Sequence, residues 1–165
     1  MDRKGTKTVL AFYPNQLGFG FAIMENALTP KDYRIVVSRP MSNKYLLKRM
    51  KELIAFYEPE IVLLEDIETK RTRKSVRVQK LITSIVYHAK TNNIPVAQYT
   101  RAQIREVFLN FNAKSKYQIA STIAQNIPAL KNRLRPKRKL FEAEPYTMGI
   151  FDSISLAITH YYLTD

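Results

Sequence analysis

The sequence predicts an α/β fold on a mixed five-stranded sheet, three antiparallel strands followed by parallel ones, flanked by helices. Three observations predict it. Two apolar, β-prone runs stand on either side of Pro14-Asn15-Gln16, a third follows with no helix between, and helical and extended periodicities then alternate. A fully parallel, doubly wound sheet is the alternative, and the missing helix between the first three strands counts against it.

The elements follow in order. Residues 7–13 (KTVLAFY) and 17–24 (LGFGFAIM) read as a hairpin, and 33–38 (YRIVVS) as a third strand. After Pro40, the spacing of Tyr45, Leu46, Met50, Leu53, Ile54 and Tyr57 keeps one helical face apolar, with Ser42 as cap and Pro59 as stop. Residues 61–64 form a short continuous apolar run, expected of a strand buried on both faces, so Glu65 and Asp66 fall at its rim. Val76, Val78, Leu81, Ile82, Ile85 and Val86 are spaced for a helix, and 95–99 for a fifth strand. Thr100 and Gln103 match a capping box that opens a helix to Leu109, and a further helix covers 115–126 before Pro128. Residues 129–145 are expected as a mobile basic loop. A last helix runs over 148–163, with Ile150, Ile154, Leu156, Ala157, Ile158 and Tyr161 on its buried side.

A chain of 165 residues suits one domain with one core, taken here as 1–165. It has no cysteine, which excludes disulfides, thiolate metal sites and cysteine nucleophiles. No signal peptide and no stretch of eighteen apolar residues is present, so the default expectation is a cytoplasmic or nucleoid-associated protein with no membrane role. Lys and Arg number 27 against 14 Asp and Glu, a formal charge of +13. Much of the excess lies in two acid-free runs, one of Lys70, Arg71, Arg73, Lys74, Arg77 and Lys80, the other of Lys131, Arg133, Arg135, Lys137, Arg138 and Lys139. A polyphosphate is their natural partner, and the alternative is a pair of merely solvated faces.

Glu65, at a strand end, and Asp152, on a helix, are the acids expected to meet in space. Carboxylates supply the hard oxygens that Mg²⁺ or Mn²⁺ requires, but each is also compatible with a solvated or capping role. The strand order and several segments resemble the RuvC-type Holliday junction resolvases of the ribonuclease-H-like superfamily. VLAFYPNQLGFGFAI (Val9 to Ile23) resembles the family's first hairpin. EPEIVLLE (Glu58 to Glu65) resembles the strand that ends in a catalytic Glu, Ile94 to Ala102 the next strand and helix start, and Lys116 to Ile127 a helix that begins with a Lys. GIFDSISLAITH (Gly149 to His160) resembles the terminal helix, which carries two acids three residues apart.

The resemblance implies four catalytic acids and bound divalent metal, and the chain departs from it at two of the four positions. Tyr13 stands where the first strand should end in Asp, and Gly149 where the terminal helix should carry its first acid; only Glu65 and Asp152 remain. A phenol is neutral near pH 7 and glycine has no side chain, so the expectation is a degenerate site with weakly bound Mg²⁺ or Mn²⁺ or none. Of the acids that could rebuild it, Asp66 points to the other sheet face if the strand continues, Glu68 returns only if the chain turns there, and Glu142 and Glu144 could fold over the site. His160 lies roughly 12 Å along the helix from Asp152, too far to share an ion.

The binding surface is expected to hold better than the chemistry. Lys70, Arg71, Arg73, Lys74, Arg77 and Lys80, with Arg101 and Lys116, are the candidate phosphate contacts, beside Tyr99. Tyr13 offers an aromatic for stacking on an unpaired base, with core packing as the equal alternative. The combined expectation is a pseudoenzyme-like binder of branched or structured nucleic acid, DNA before RNA, from a family of DNA recombination, with a homodimer implied by resemblance. An active metal-dependent endonuclease with a rebuilt site and a basic scaffold without nucleic-acid role are the alternatives.

Overall fold

In the computed structural model, which describes residues 7–67, 74–136 and 147–164, alternation along the first strands separates two layers of core. β1 (Val9–Pro14) pairs antiparallel with β2 (Gly18–Asn26), and β2 with β3 (Thr29–Val37). The turn is held by Asn15, whose Oδ1 accepts from the amides of Leu17 and Gly18 at 2.9 and 3.0 Å, an Asx geometry that stands in for a backbone turn. β3 begins earlier than expected, at Thr29 rather than Tyr33. Its first residues are largely polar and partly exposed on the edge of the sheet, so no apolar alternation marks them; pairing with β2 through an irregular register near Met24 extends the strand.

Helix α1 (Asn43–Tyr57) starts where Ser42 accepts from the Tyr45 amide and stops at Glu58 in the left-handed conformation. β4 (Ile61–Glu65), α2 (Val76–Thr91) and β5 (Val96–Tyr99) follow, with β4 parallel to both β1 and β5. The sheet order is β3-β2-β1-β4-β5, the mixed sheet expected, three antiparallel strands and then parallel ones. Helices α3 (Arg101–Leu109) and α4 (Lys116–Asn126) each open on a full capping box, Thr100 with Gln103 and Ser115 with Gln118. The segment expected as a loop from 129 begins instead as a 3-10 helix, Pro128–Arg133, because Leu130 is fully buried and anchors it. Its continuation over 137–146, with Lys137, Arg138, Lys139, Glu142 and Glu144, lies outside the described residues. The last helix, α5, spans Met148–Thr164.

Leu10, Phe12, Phe19, Phe21 and Ile23 point to the layer formed by α1 and α2. Val9, Ala11, Tyr13, Ala22 and Met24 point to the layer formed by α3, α4 and α5. The first ten residues of α5 are buried on every side, wider than the stripe its periodicity predicts, because the helix lies between the sheet and α3 and α4. It crosses β2 at a glycine pair. A Cβ at Gly20 would fall 2.2 Å from the carbonyl oxygen of Gly149, so this approach requires glycine at 20. Among the described residues, no helix is long and apolar enough to cross a membrane.

Candidate functional site

The ladder between β1 and β4 runs from Val9 opposite Ile61 to Ala11 opposite Leu63 and ends there. Both strands continue, β1 to Pro14 and β4 to Glu65, so their carboxyl ends part. Such a gap beyond parallel strand ends is the usual place for a ligand in an α/β sheet. Tyr13 and Glu65 keep the offset of the ladder without its backbone pairing, and the Tyr13 hydroxyl donates to Glu65 Oε1 at 3.2 Å across the gap. Asp152, in the second turn of α5, is buried at the same place, where its charge and that of Glu65 both act on the phenol. The structure therefore brings together Glu65 and Asp152, each about one-twentieth exposed, around the Tyr13 phenol on which both charges act. Neither acid is the solvated or merely capping residue that the sequence also allowed.

Three cations close around this group. Lys74, one residue before the Ser75 cap of α2, lies 3.7 Å from Glu65 Oε2, donates to the Pro14 carbonyl at 3.4 Å, and stands 4.0 Å above the Tyr13 ring. Lys116, the first residue of α4, pairs with Asp152 Oδ2 at 3.2 Å and lies 5.7 Å from the Tyr13 ring centre. Arg101, the first residue of α3, acts by its charge on both Tyr13 and Lys74. Burial, then the two carboxylates, push the Tyr13 phenol well above its ordinary value, so it stays neutral and donates. Burial lowers the Lys74 ammonium from its ordinary value, and Glu65 and Asp152 pull it back toward the charged form.

The donors among the described residues do not by themselves make up a site for a pair of divalent ions. Each carboxylate already faces an ammonium, the phenol is neutral, and Gly149 presents backbone only; among the described residues no group of three or more His, Asp or Glu is placed to share an ion. Glu68, one acid that could have joined them, lies outside the described residues, as do Glu142 and Glu144. Tyr13 is 5% exposed and Lys74 lies over its ring, which favours core packing, the alternative the sequence offered beside stacking.

The expected phosphate contacts divide into four groups. Lys70, Arg71 and Arg73 lie outside the described residues. Arg77 is turned inward as a structural tie, donating to the Asn15 carbonyl at 2.6 Å and to Asn43 Oδ1 at 2.9 Å. Lys80 is exposed on α2, while Lys74 and Lys116 sit at the gap and the charge of Arg101 acts there. The sequence reading missed the pairing of each acid with a lysine, because attraction between residues 9 and 36 positions apart leaves no local periodicity. It also missed the 2.7 Å hydrogen bond between the Tyr99 hydroxyl and His160 Nδ1. One signal was legible in principle: Lys74, Arg101 and Lys116 all flank helix caps, where cations oppose the positive end of the helix and so point to a compensating anion.

No protein-family model matches the chain. Among proteins of known function, it is 29% identical over 98 residues to the crossover junction endodeoxyribonuclease RuvC of Syntrophomonas wolfei, a match covering 59% of this chain and 56% of that protein. Among solved structures, Thermus thermophilus RuvC in complex with a Holliday junction superposes with a TM-score of 0.64 at 16% identity, covering 94% of each chain. The yeast mitochondrial Holliday junction resolvase Ydc2 follows with a TM-score of 0.60 at 15% identity, over 93% of this chain and 78% of the other. Over those 98 residues of sequence, and in sheet order and helix arrangement, the chain is similar to the RuvC-type Holliday junction resolvases, whose fold it shares.

Proposed function

We propose that the protein binds branched or structured DNA through backbone phosphates and cleaves it negligibly. The observation that carries this reading is the pairing of both remaining carboxylates with lysines, Glu65 with Lys74 and Asp152 with Lys116. Cleavage by two-metal chemistry needs carboxylates free to hold ions on either side of a phosphodiester. Here the same carboxylates hold ammonium groups. Binding does not need the metal, because a chain of charge +13 attracts a polyphosphate by counterion release. The relatives named above act on or bind four-way junctions, which is the reason to place branched DNA first among substrates. A homodimer, by analogy with an enzyme that meets a two-fold junction, belongs to the same proposal.

Mobility shifts with four-way junction and duplex DNA over a series of salt concentrations test it. Binding is expected at low salt and to weaken steeply as salt rises; binding absent at low salt, or indifferent to salt, overturns the reading. Junction cleavage that a chelator abolishes would instead support an active endonuclease whose site is completed by acids such as Glu142 or Glu144.

A further inference from the structure

All three cations at the gap flank the start of a helix: Lys74 precedes the Ser75 cap of α2, and Arg101 and Lys116 are the first residues of α3 and α4. The macrodipole disfavours a cation there, and none of these helices carries an acid in its first turn to offset it. Two of the cations are compensated within the fold, Lys74 by Glu65 and Lys116 by Asp152. Among the described residues two carboxylates stand against three cations, and Arg101 is the cation without an ion pair. Its buried Nη1 has no hydrogen-bond partner among the described residues. A buried charged donor left unpaired is costly, and native folds seldom keep one without use.

We propose that this group is a metal-independent phosphate site, in which Arg101 takes an oxygen of a nucleic-acid phosphodiester at the parted ends of β1 and β4. The proposal rests on the nucleic-acid reading above and deepens it by naming where a phosphate sits. Guanidinium suits this role, since its fork matches two oxygens of one phosphate and it stays charged when desolvated. Lys74 and Lys116 supply positive potential on either side while remaining tied to their carboxylates. Tyr13, neutral and packed beneath Lys74, forms the floor. The three capped helix starts fix the origin of each side chain, so the site is preorganised without a metal.

The test uses inorganic phosphate and a four-way junction, both in chelator, with Arg101→Met and Arg101→Lys beside the unmodified protein. Phosphate at matched ionic strength is expected to raise the melting temperature of the unmodified protein and not that of Arg101→Met. Junction affinity is expected to fall about tenfold in Arg101→Met, the loss of one charge-assisted contact, and less in Arg101→Lys. In phosphate-free buffer Arg101→Met is expected to melt no lower than the unmodified protein, since it removes an uncompensated cation; if that variant does not fold, Arg101→Lys decides. Equal junction affinity in the variants, with no protection by phosphate, overturns the site and leaves the nucleic-acid reading standing. Arg101-dependent protection by phosphate without junction binding does the reverse. Protection that vanishes in chelator and returns with Mg²⁺ overturns the metal-independent site.

Discussion

The two faces of the sheet are built from alternate residues of the same strands and obey different rules. The face under α1 and α2 is apolar throughout, with Phe12, Phe19 and Phe21 in edge-to-face and tilted contact. The face under α5 is apolar as far as Ala11 and Leu63, then admits Tyr13, Glu65 and Asp152 with their lysines. One face is stabilised by area removed from water, whose worth is set by each residue's own size. The other holds groups whose worth depends on their partners, and any one of them alone would be costly. Stability on the first face is therefore spread over many contacts, and on the second it hangs on matched pairs.

The sharpest break of this contrast is Phe12→Ala. It removes a fully buried ring and is expected to cost about 3–5 kcal/mol, read as a lower urea midpoint with unchanged slope and with junction binding retained at temperatures where the variant is folded. A loss below ~1 kcal/mol would show that this face is looser than its burial implies.

Next comes Tyr13→Asp combined with Gly149→Asp, which turns the matched face toward metal binding. A Cβ at Gly149 meets Asn15 Nδ2 and Ile35 Cδ1 at 3.0 Å, side-chain ends that can yield by a few tenths of an ångström. Clustered carboxylates should lower the melting temperature of the metal-free variant, and Mn²⁺ or Mg²⁺ at a hundredfold excess over Kd should restore about 2.7 kcal/mol. The unmodified protein should show no comparable shift. Strong metal stabilisation of the unmodified protein would mean that its site is complete.

Lys74→Met is smaller in effect. Leaving Glu65 without its ammonium is expected to cost about 2 kcal/mol, below the figure for a wholly buried pair because Lys74 keeps 21% of its side chain exposed. Adding Glu65→Gln should recover most of that loss. If the two losses simply add, Lys74 and Glu65 are not energetically paired.

The legibility of the molecule follows the same division. Helix starts at Ser42, Thr100 and Ser115 were readable because a cap and its partner lie within three residues. The five strands were readable because alternation and flanking Pro or Asn residues are local. The early start of β3 at Thr29 was not, since an exposed edge strand is held by its neighbour's backbone rather than by an apolar pattern of its own. At the site, Glu65 and Asp152 could be expected to meet from their elements, a shared role for them could be read only through resemblance, and the lysines opposite them not at all. Tyr13 was ambiguous for a related reason: whether a ring stacks or packs depends on what covers it, and Lys74 lies 61 positions away in sequence.

The parting of β1 and β4 has a consequence for motion. Before the gap, Leu10 and Val62 sit in ladders on both sides and belong to the middle of the sheet; beyond it, the β1 segment from Phe12 to Pro14 is laddered to β2 alone, and Leu64 and Glu65 to β5 alone. The amides of these strand ends should exchange with deuterium sooner than those of Leu10 and Val62, as the margins of the cooperative unit rather than its centre. Lys74, tied at once to the end of β1 and the end of β4, acts as a stitch across that seam. Anything that draws the ammonium toward itself would loosen the stitch and let the two halves of the sheet breathe apart.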